Sequence, residues 1–156
     1  AFDIGETLAG DVEFINNDTI CVFGDDKLSV YTMEKTLKLL FTKELKTHAR
    51  TVFHSEDYIG LVLAAEEVGK SDNIIVYDLK GKVMFNRKLD IDYSNIRMKG
   101  KEIILSSSRN WVIYKLSGRI KMNCRFDQEI ADILPAAGRG RYIIINDKTI
   151  DEVKLK

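Results

Sequence analysis

Cysteine, histidine, tryptophan and proline are all scarce in this chain of 156 residues, which holds two, two, one and one of them. The two cysteines, Cys21 and Cys124, are too few for a small disulfide scaffold. They fall at different places in the repeats described next, so both are expected to be free thiols. His48 and His54 stand in no HxH or HxxxH register that would bring both to one ion. Charge of one sign is also missing: 24 basic residues meet 24 acidic ones, which removes the positive field that phosphate backbones require and excludes nucleic acid as the expected partner. No apolar run approaches the roughly 18 residues of a spanning helix, and no signal-peptide pattern opens the sequence. Glycine patterns of the dinucleotide and P-loop kinds are absent, as is a GxSxG nucleophile elbow.

What is present is an internal repeat. Asn73–Asp90, NIIVYDLKGKVMFNRKLD, returns without a gap 37 residues later as Asn110–Asp127, NWVIYKLSGRIKMNCRFD. Six of the eighteen positions are identical: Asn73/Asn110, Tyr77/Tyr114, Leu79/Leu116, Gly81/Gly118, Asn86/Asn123 and Asp90/Asp127. A period of this length marks copies of one supersecondary unit. With 45% hydrophobic residues the chain has enough apolar material for a real core, and a single repeat domain over 1–156 is expected, in units of about 10–45, 46–90, 91–127 and 128–156.

Each unit reads as four short strands. In the first they fall near Val12–Ile15, Thr19–Phe23, Leu28–Tyr31 and Leu37–Phe41, with Asn16-Asn17-Asp18 and Gly24-Asp25-Asp26 as turns. In the second they fall near Thr51–Phe53, Ile59–Ala64, Asn73–Tyr77 and Val83–Lys88. Phe53 and Ile59 stand six apart, as Phe14 and Ile20 do, which predicts the same hairpin register. Between its second and third strands lies AAEEVGKSD, about seven residues longer than the turn of the first unit and read as a solvated hairpin tip rather than a binding loop. The third unit turns at Met98–Lys101, Ser106–Arg109 and Leu116–Arg119. The fourth supplies three segments, with Pro135 closing the first and Gly138 and Gly140 in its turn, and lacks a fourth strand. Phe2-Asp3 matches Phe126-Asp127, so the chain is expected to open inside a joint between copies. Met33–Leu45 alone has helical spacing, at Leu37, Leu40 and Phe41, yet it aligns with Val83–Leu89 and is read as strand.

A four-stranded unit cannot bury both its faces alone. Units stacked face to face around an axis do so, which predicts an all-β fold of β-propeller-type repeats with about four blades, the last incomplete. Ile74-Ile75-Val76 and Ile143-Ile144-Ile145 are apolar on both alternating faces and fit inner strands covered on two sides. Val30-Tyr31, Val76-Tyr77, Ile113-Tyr114 and Trp111 are the expected packing between blades.

The turn Asn16-Asn17-Asp18-Thr19, the triplet Tyr58-Ile59-Gly60, the run Phe85–Ser94 with Asp92-Tyr93-Ser94-Asn95-Ile96, and the ending Asp147–Lys156 together resemble an uncharacterised propeller-like family of Gram-positive bacteria, over nearly the whole chain. That family has a short cytoplasmic start, one membrane helix and an extracytoplasmic repeat domain, and this sequence is similar to its C-terminal half. The resemblance implies an extracytoplasmic location, an anchor supplied by an upstream segment, and further repeats upstream. It brings no catalytic residue with it.

Candidate chemistry is sparse. His48, His54, Glu56 and Asp57 have metal-ligand types, but they straddle a joint and a turn. Asp90, Asp92 and Asn95 have oxygen ligands but lack the glycine and distal Glu of an EF-hand loop, and read as turn residues. Asp25-Asp26 is a turn, and Ser106-Ser107-Ser108 sits where a hairpin turn is needed. A single tryptophan excludes the recurrent docking motifs of quinoprotein propellers. No catalytic, cofactor-binding or metal site is therefore assigned and no cofactor is expected. The reading is a non-catalytic binding or scaffolding domain that contacts a protein or cell-envelope polymer, with a homodimer of half-propellers as a further partner. The alternative is part of a carbohydrate-active or other hydrolytic propeller whose site lies on an upstream half. Four blades closing on themselves, with Ala1–Gly5 as a clasp, is the competing assembly.

Overall fold

The computed structural model describes residues 9 to 89 and 91 to 155. The joint expected at Ala1–Gly5, with its Phe2-Asp3 match, lies outside these residues, as do Asp90 and Lys156. The described chain is all β, in four antiparallel sheets with strands in sequence order. The first holds β1 (Ala9–Asn16), β2 (Thr19–Gly24), β3 (Lys27–Met33) and β4 (Leu37–Glu44). The second holds β5 (Ala49–Ser55), β6 (Tyr58–Leu63), β7 (Asn73–Asp78) and β8 (Val83–Lys88). The third holds β9 (Asn95–Lys99), β10 (Glu102–Ser106), β11 (Asn110–Lys115) and β12 (Ile120–Arg125). The last has three strands, β13 (Asp132–Pro135), β14 (Arg141–Ile145) and β15 (Ile150–Lys154). Met33–Leu45 is the end of β3, a turn and β4: the apolar spacing that mimics a helix serves a strand that bulges at Leu40.

The repeat is exact at the level of register. Asn73 pairs with Lys88 and Val76 with Phe85, and 37 residues on Asn110 pairs with Arg125 and Ile113 with Met122. In both copies the register then slips by one residue, so that Tyr77 faces Val83 and Tyr114 faces Ile120. The same slip places Tyr31 opposite Leu39 in the first sheet. Bulges at one point of each outer hairpin add local twist and let the tyrosine beside them turn into the core. Tyr31, Tyr77 and Tyr114 are all buried. Gly81 and Gly118 recur for a backbone reason: both have a left-handed φ, 78° and 86°, in turns closed by their own N–H groups on the Asp78 and Lys115 carbonyls.

The chain forms two compact units, residues 1–90 and 91–156. In the first, Cys21, Leu28 and Val30 of the first sheet pack on Ile59, Leu61, Ile75 and Tyr77 of the second, with Phe41 tilted over Tyr77 at 6.4 Å. In the second, Ile104, Trp111 and Ile113 of the third sheet pack on Ile133 and Tyr142 of the last. Arg97 of β9 closes that contact with a bidentate pair to Asp132 of β13, at 2.6 and 2.8 Å. Ile74-Ile75-Val76 is buried throughout, as its pattern predicts. Ile143-Ile144-Ile145 is only half-buried: Ile144 packs toward the third sheet, which leaves Ile143 and Ile145 on the opposite face of the last one.

One register expectation fails. Phe14 faces Ile20 as its spacing suggests, but the register shifts between Phe14 and Asn16, and β5 has no such shift before its turn. Phe53 therefore faces Gly60, and His54 takes the place opposite Ile59. Phe53 is consequently in the core while Phe14 is 63% exposed.

Both cysteines are free, Cys21 buried and Cys124 half-buried. Burial, with the charge of Glu13 added, pushes the Cys21 thiol well above its ordinary range. Thiol titration should find one slowly accessible group in the native protein and two in denaturant; no reactive thiol in denaturant would contradict this.

Candidate functional site

Length is what sets the second sheet apart from the others. β6 and β7 are joined by residues 64–72, whereas β2 and β3 are joined by Asp25 and Asp26 alone. The root of the long loop is fixed by hydrogen bonds. The Ala64 N–H donates to the His48 carbonyl at 3.1 Å, Thr47 Oγ1 donates to the Ala64 carbonyl at 2.7 Å, and the Leu89 N–H donates to the Asp72 carbonyl at 2.7 Å. Asp72 Oδ1 accepts from the Ala65 N–H at 3.1 Å while Oδ2 meets Arg50 at 3.1 Å. The tip, Glu66–Lys70, is exposed, with Lys70 paired to Glu67 at 2.6 Å and Val68 wholly in solvent.

Between this loop, the β4–β5 linker and the faces of β7 and β8 lies a cleft of about 480 Å³. Its size is within the range of small-ligand and peptide-side-chain sites. Leu45, Leu63 and Ile75 make an apolar floor, and Asn73 and Asn86, joined by a 2.8 Å amide hydrogen bond, line it further along β7 and β8. Lys46, Lys88, Glu44 and Glu66 border it with no ion-pair partner among the described residues. Tyr77 is also in the lining; burial raises its hydroxyl above the usual range, so that it stays a neutral donor. An apolar floor ringed by unpaired charges of both signs suits recognition of a segment that has an apolar side chain and polar neighbours. The residues that make it were not singled out from the sequence, where the extra loop length was the available signal and was read as a solvated tip.

The residues weighed from the sequence do not converge. Among the described residues no three His, Cys, Asp or Glu side chains gather as metal ligands would. His54 points across to β1, its Nε2 3.8 Å from Glu13 Oε2. Asp92 is exposed, and Asn95 opens β9. Asp26 uses its carbonyl to hold the Leu45 N–H in the turn before β3. Ser106 is buried in β10, and Ser107 Oγ caps the turn by accepting from the Asn110 N–H at 3.2 Å. Trp111 is core: it stacks on Phe126 and meets Tyr142 edge-on.

A second polar cluster locks the third sheet to the last. Lys121, the bulged residue of β12, donates to Glu102 at 2.6 Å and to the Tyr142 hydroxyl at 3.2 Å, and Tyr142 itself donates to Glu102. Burial alone would raise the Glu102 pKa, but the hydrogen bonds from Lys121 and Tyr142 and the charges of Lys121 and Lys99 outweigh it and hold the carboxyl below its usual range. Burial first, then the bond to Glu102 and its charge, push the Tyr142 hydroxyl up. With every member satisfied, this cluster is packing rather than a site.

Solved structures place the architecture. Hsv2p of Kluyveromyces lactis aligns with a TM-score of 0.61 at 18% identity, over 94% of this chain and 46% of its own. Sqt1 of Saccharomyces cerevisiae aligns at 0.55 and 13%, over 88% of this chain and 41% of its own. A eukaryotic initiation factor aligns at 0.67 and 12%, over 97% of this chain and 41% of its own. These are β-propellers, so the four sheets are blades of that fold, and the chain spans about half the length of the structures it matches. No curated protein matches it in sequence. A family model matches residues 1–155: the chain belongs to the family of unknown function DUF5711.

Proposed function

We propose that this chain is a non-catalytic binding or scaffolding domain, one repeat domain of a larger propeller, which contacts a protein or cell-envelope polymer on the extracytoplasmic side of a membrane. The observation that carries the reading is the cleft beneath the β6–β7 loop: an apolar floor bordered by Lys46, Lys88, Glu44 and Glu66, which have no ion-pair partner among the described residues, with Val68 exposed at the tip of the loop. Groups of this kind supply contact area and orientation. The location rests on the likeness to an anchored Gram-positive family, and the anchor would be an upstream segment of the parent.

The test is crosslinking in cells of the native host. A photoreactive residue at Val68 should give a discrete adduct with an extracytoplasmic protein or envelope polymer. The same probe beside Lys88→Glu should give at least tenfold less, because reversing that charge leaves the sheet intact and changes only the cleft border. An adduct indifferent to Lys88→Glu, or one made only with cytoplasmic proteins, would overturn the reading. Turnover of a glycoside by the purified chain would favour the hydrolytic alternative instead.

A further inference from the structure

Two asparagines on the wall of the cleft form an amide pair with bonding capacity left over. Asn73 and Asn86 share the face of the second sheet that carries Ile75 and Tyr77, because Asn73 pairs with Lys88 and Ile75 with Asn86. Asn73 Nδ2 donates to Asn86 Oδ1 at 2.8 Å. This leaves Asn73 Oδ1 as an acceptor and Asn86 Nδ2 as a donor, neither with a partner among the described residues. The same two residues recur 37 positions on as Asn110 and Asn123, but there Asn110 Nδ2 donates to Ser107 Oγ at 3.1 Å, inside the short turn between β10 and β11. In the second sheet residues 64–72 replace that turn, so the Asn73 amide turns to Asn86 and the pair lines the cleft.

A residue in an extended chain presents its own N–H and C=O on one side, the arrangement that facing residues of antiparallel strands use when they exchange both hydrogen bonds. Asn73 Oδ1 and Asn86 Nδ2 offer the matching acceptor and donor. The acetamido group of an amino sugar does not fit in the same way, because the N–H and C=O of one trans amide point in opposite directions. A sugar ring also lacks a platform here. Tyr77 is the one ring of the lining, and Phe41 lies tilted over it at 6.4 Å while the Lys43 ammonium sits 5.8 Å from its centroid. The apolar floor of Leu45, Leu63 and Ile75 suits an aliphatic side chain. Lys88, directly opposite Asn73 and without an ion-pair partner among the described residues, suits a carboxylate close by.

We propose that the cleft receives an extended peptide segment: Asn73 and Asn86 hold the main-chain N–H and C=O of one aliphatic residue, its side chain lies on the Leu45–Leu63–Ile75 floor, and an acidic residue within two positions of it meets Lys88. The inference rests on the binding reading and narrows its ligand from a protein or polymer to a peptide main chain. Recognition through main-chain groups gives the site affinity for many sequences, and the floor and Lys88 select among them.

Panning a phage-displayed library of random nonapeptides on the purified chain tests it, with fluorescence anisotropy of the best binder as the readout. Enriched sequences should carry leucine, isoleucine or valine with an acidic residue within two positions. Replacing the N–H of that aliphatic residue by an ester oxygen should weaken binding about tenfold, the order of one well-made hydrogen bond, and the same replacement elsewhere in the peptide should matter less. Asn86→Ala should weaken the parent peptide by a similar factor. Asn86→Asp, which keeps an acceptor for Asn73 Nδ2 but has no donor, should do the same. Asn86 is exposed, so far-UV circular dichroism should not change in either variant. No enriched peptide, a binder that tolerates both substitutions, or an ester scan with no sensitive position would overturn the proposal, as would N-acetylglucosamine oligomers bound in place of any peptide. A discrete Val68 adduct in cells together with no enriched peptide would overturn this inference alone. Peptide binding that meets these expectations without any adduct in cells would support the peptide site and overturn the extracytoplasmic reading.

Discussion

Replacing Trp111 by alanine should cost about 3–5 kcal/mol, the range for deleting a large buried aromatic. Trp111 is 2% exposed, with the Phe126 ring parallel at 6.3 Å and the Tyr142 ring edge-on at 5.1 Å. These partners come from β14 and from the segment after β12, so the indole joins the third sheet to the last, and a cavity there takes one packing partner from each. Its Nε1 is buried without a hydrogen-bond partner, so truncation breaks no polar contact and the loss is one of packing alone. That gives a second, discriminating expectation. Trp111→Phe keeps an aromatic ring and removes the unsatisfied N–H, whose burial costs about 1–3 kcal/mol, so it should cost much less than the alanine change. Chemical denaturation followed by circular dichroism measures both. Equal losses for the two variants would contradict the account of Trp111 as a packing residue.

Gly60→Ala should be the most damaging single-methyl change in the first unit. A Cβ built there would lie 2.2 Å from two ring atoms of Phe53, the residue that it faces across β5 and β6. Phe53 is 5% exposed and has nowhere to swing, so the strands must part or the ring must leave its rotamer, at a cost of about 1–3 kcal/mol or more. The strain has a named owner, and it should therefore be relieved by shrinking that owner. Phe53→Leu alone is an ordinary large-to-small loss; in the Gly60→Ala background it should cost less or even restore stability, with a coupling of about 0.5–3 kcal/mol. A double-mutant cycle with no coupling would place the damage elsewhere.

Tyr58-Ile59-Gly60 was legible as part of a family pattern, but the reason for its glycine was not. That reason lies in the pairing of Gly60 with Phe53, and the pairing depends on β5 running to its turn without the register shift that β1 makes after Phe14. Composition does not announce a bulge. The repeat itself was legible because two copies keep the same residues where backbone demands are strict: Gly81 and Gly118 in left-handed turns, Tyr77 and Tyr114 beside a bulge. Strand existence followed from apolar runs between turn residues, and in the first two sheets, where strand positions were read, the bounds agree to within a few residues. The first sheet has lost most of the repeat's identities, and there the spacing of Leu37, Leu40 and Phe41 carried a helical signal that cross-strand pairing with β3 overrides.

The candidate site was the least legible part, for a physical reason. Its side chains come from the β4–β5 linker, the β6–β7 loop and the faces of two strands, and none of these segments has a motif of its own. Lys46 and Lys88 are ordinary surface lysines in sequence. They border one cleft because Lys88 ends β8 on the face that carries Ile75 and Tyr77 toward the first sheet, where the linker passes. His54 shows the converse: a residue with metal-ligand chemistry is turned toward Glu13 by its strand parity, and among the described residues it joins no cluster of three metal-ligand side chains.

One blade unit recurs with its outer-hairpin register intact, so that faces, bulges and turns fall at matching positions 37 residues apart. Cross-strand proton contacts in solution test this most directly. Nuclear Overhauser contacts should link Asn73 with Lys88 and Tyr77 with Val83, and the same pattern displaced by 37 residues should link Asn110 with Arg125 and Tyr114 with Ile120. A different register in either hairpin, or helical contacts between residues three and four apart across Met33–Leu45, would contradict it.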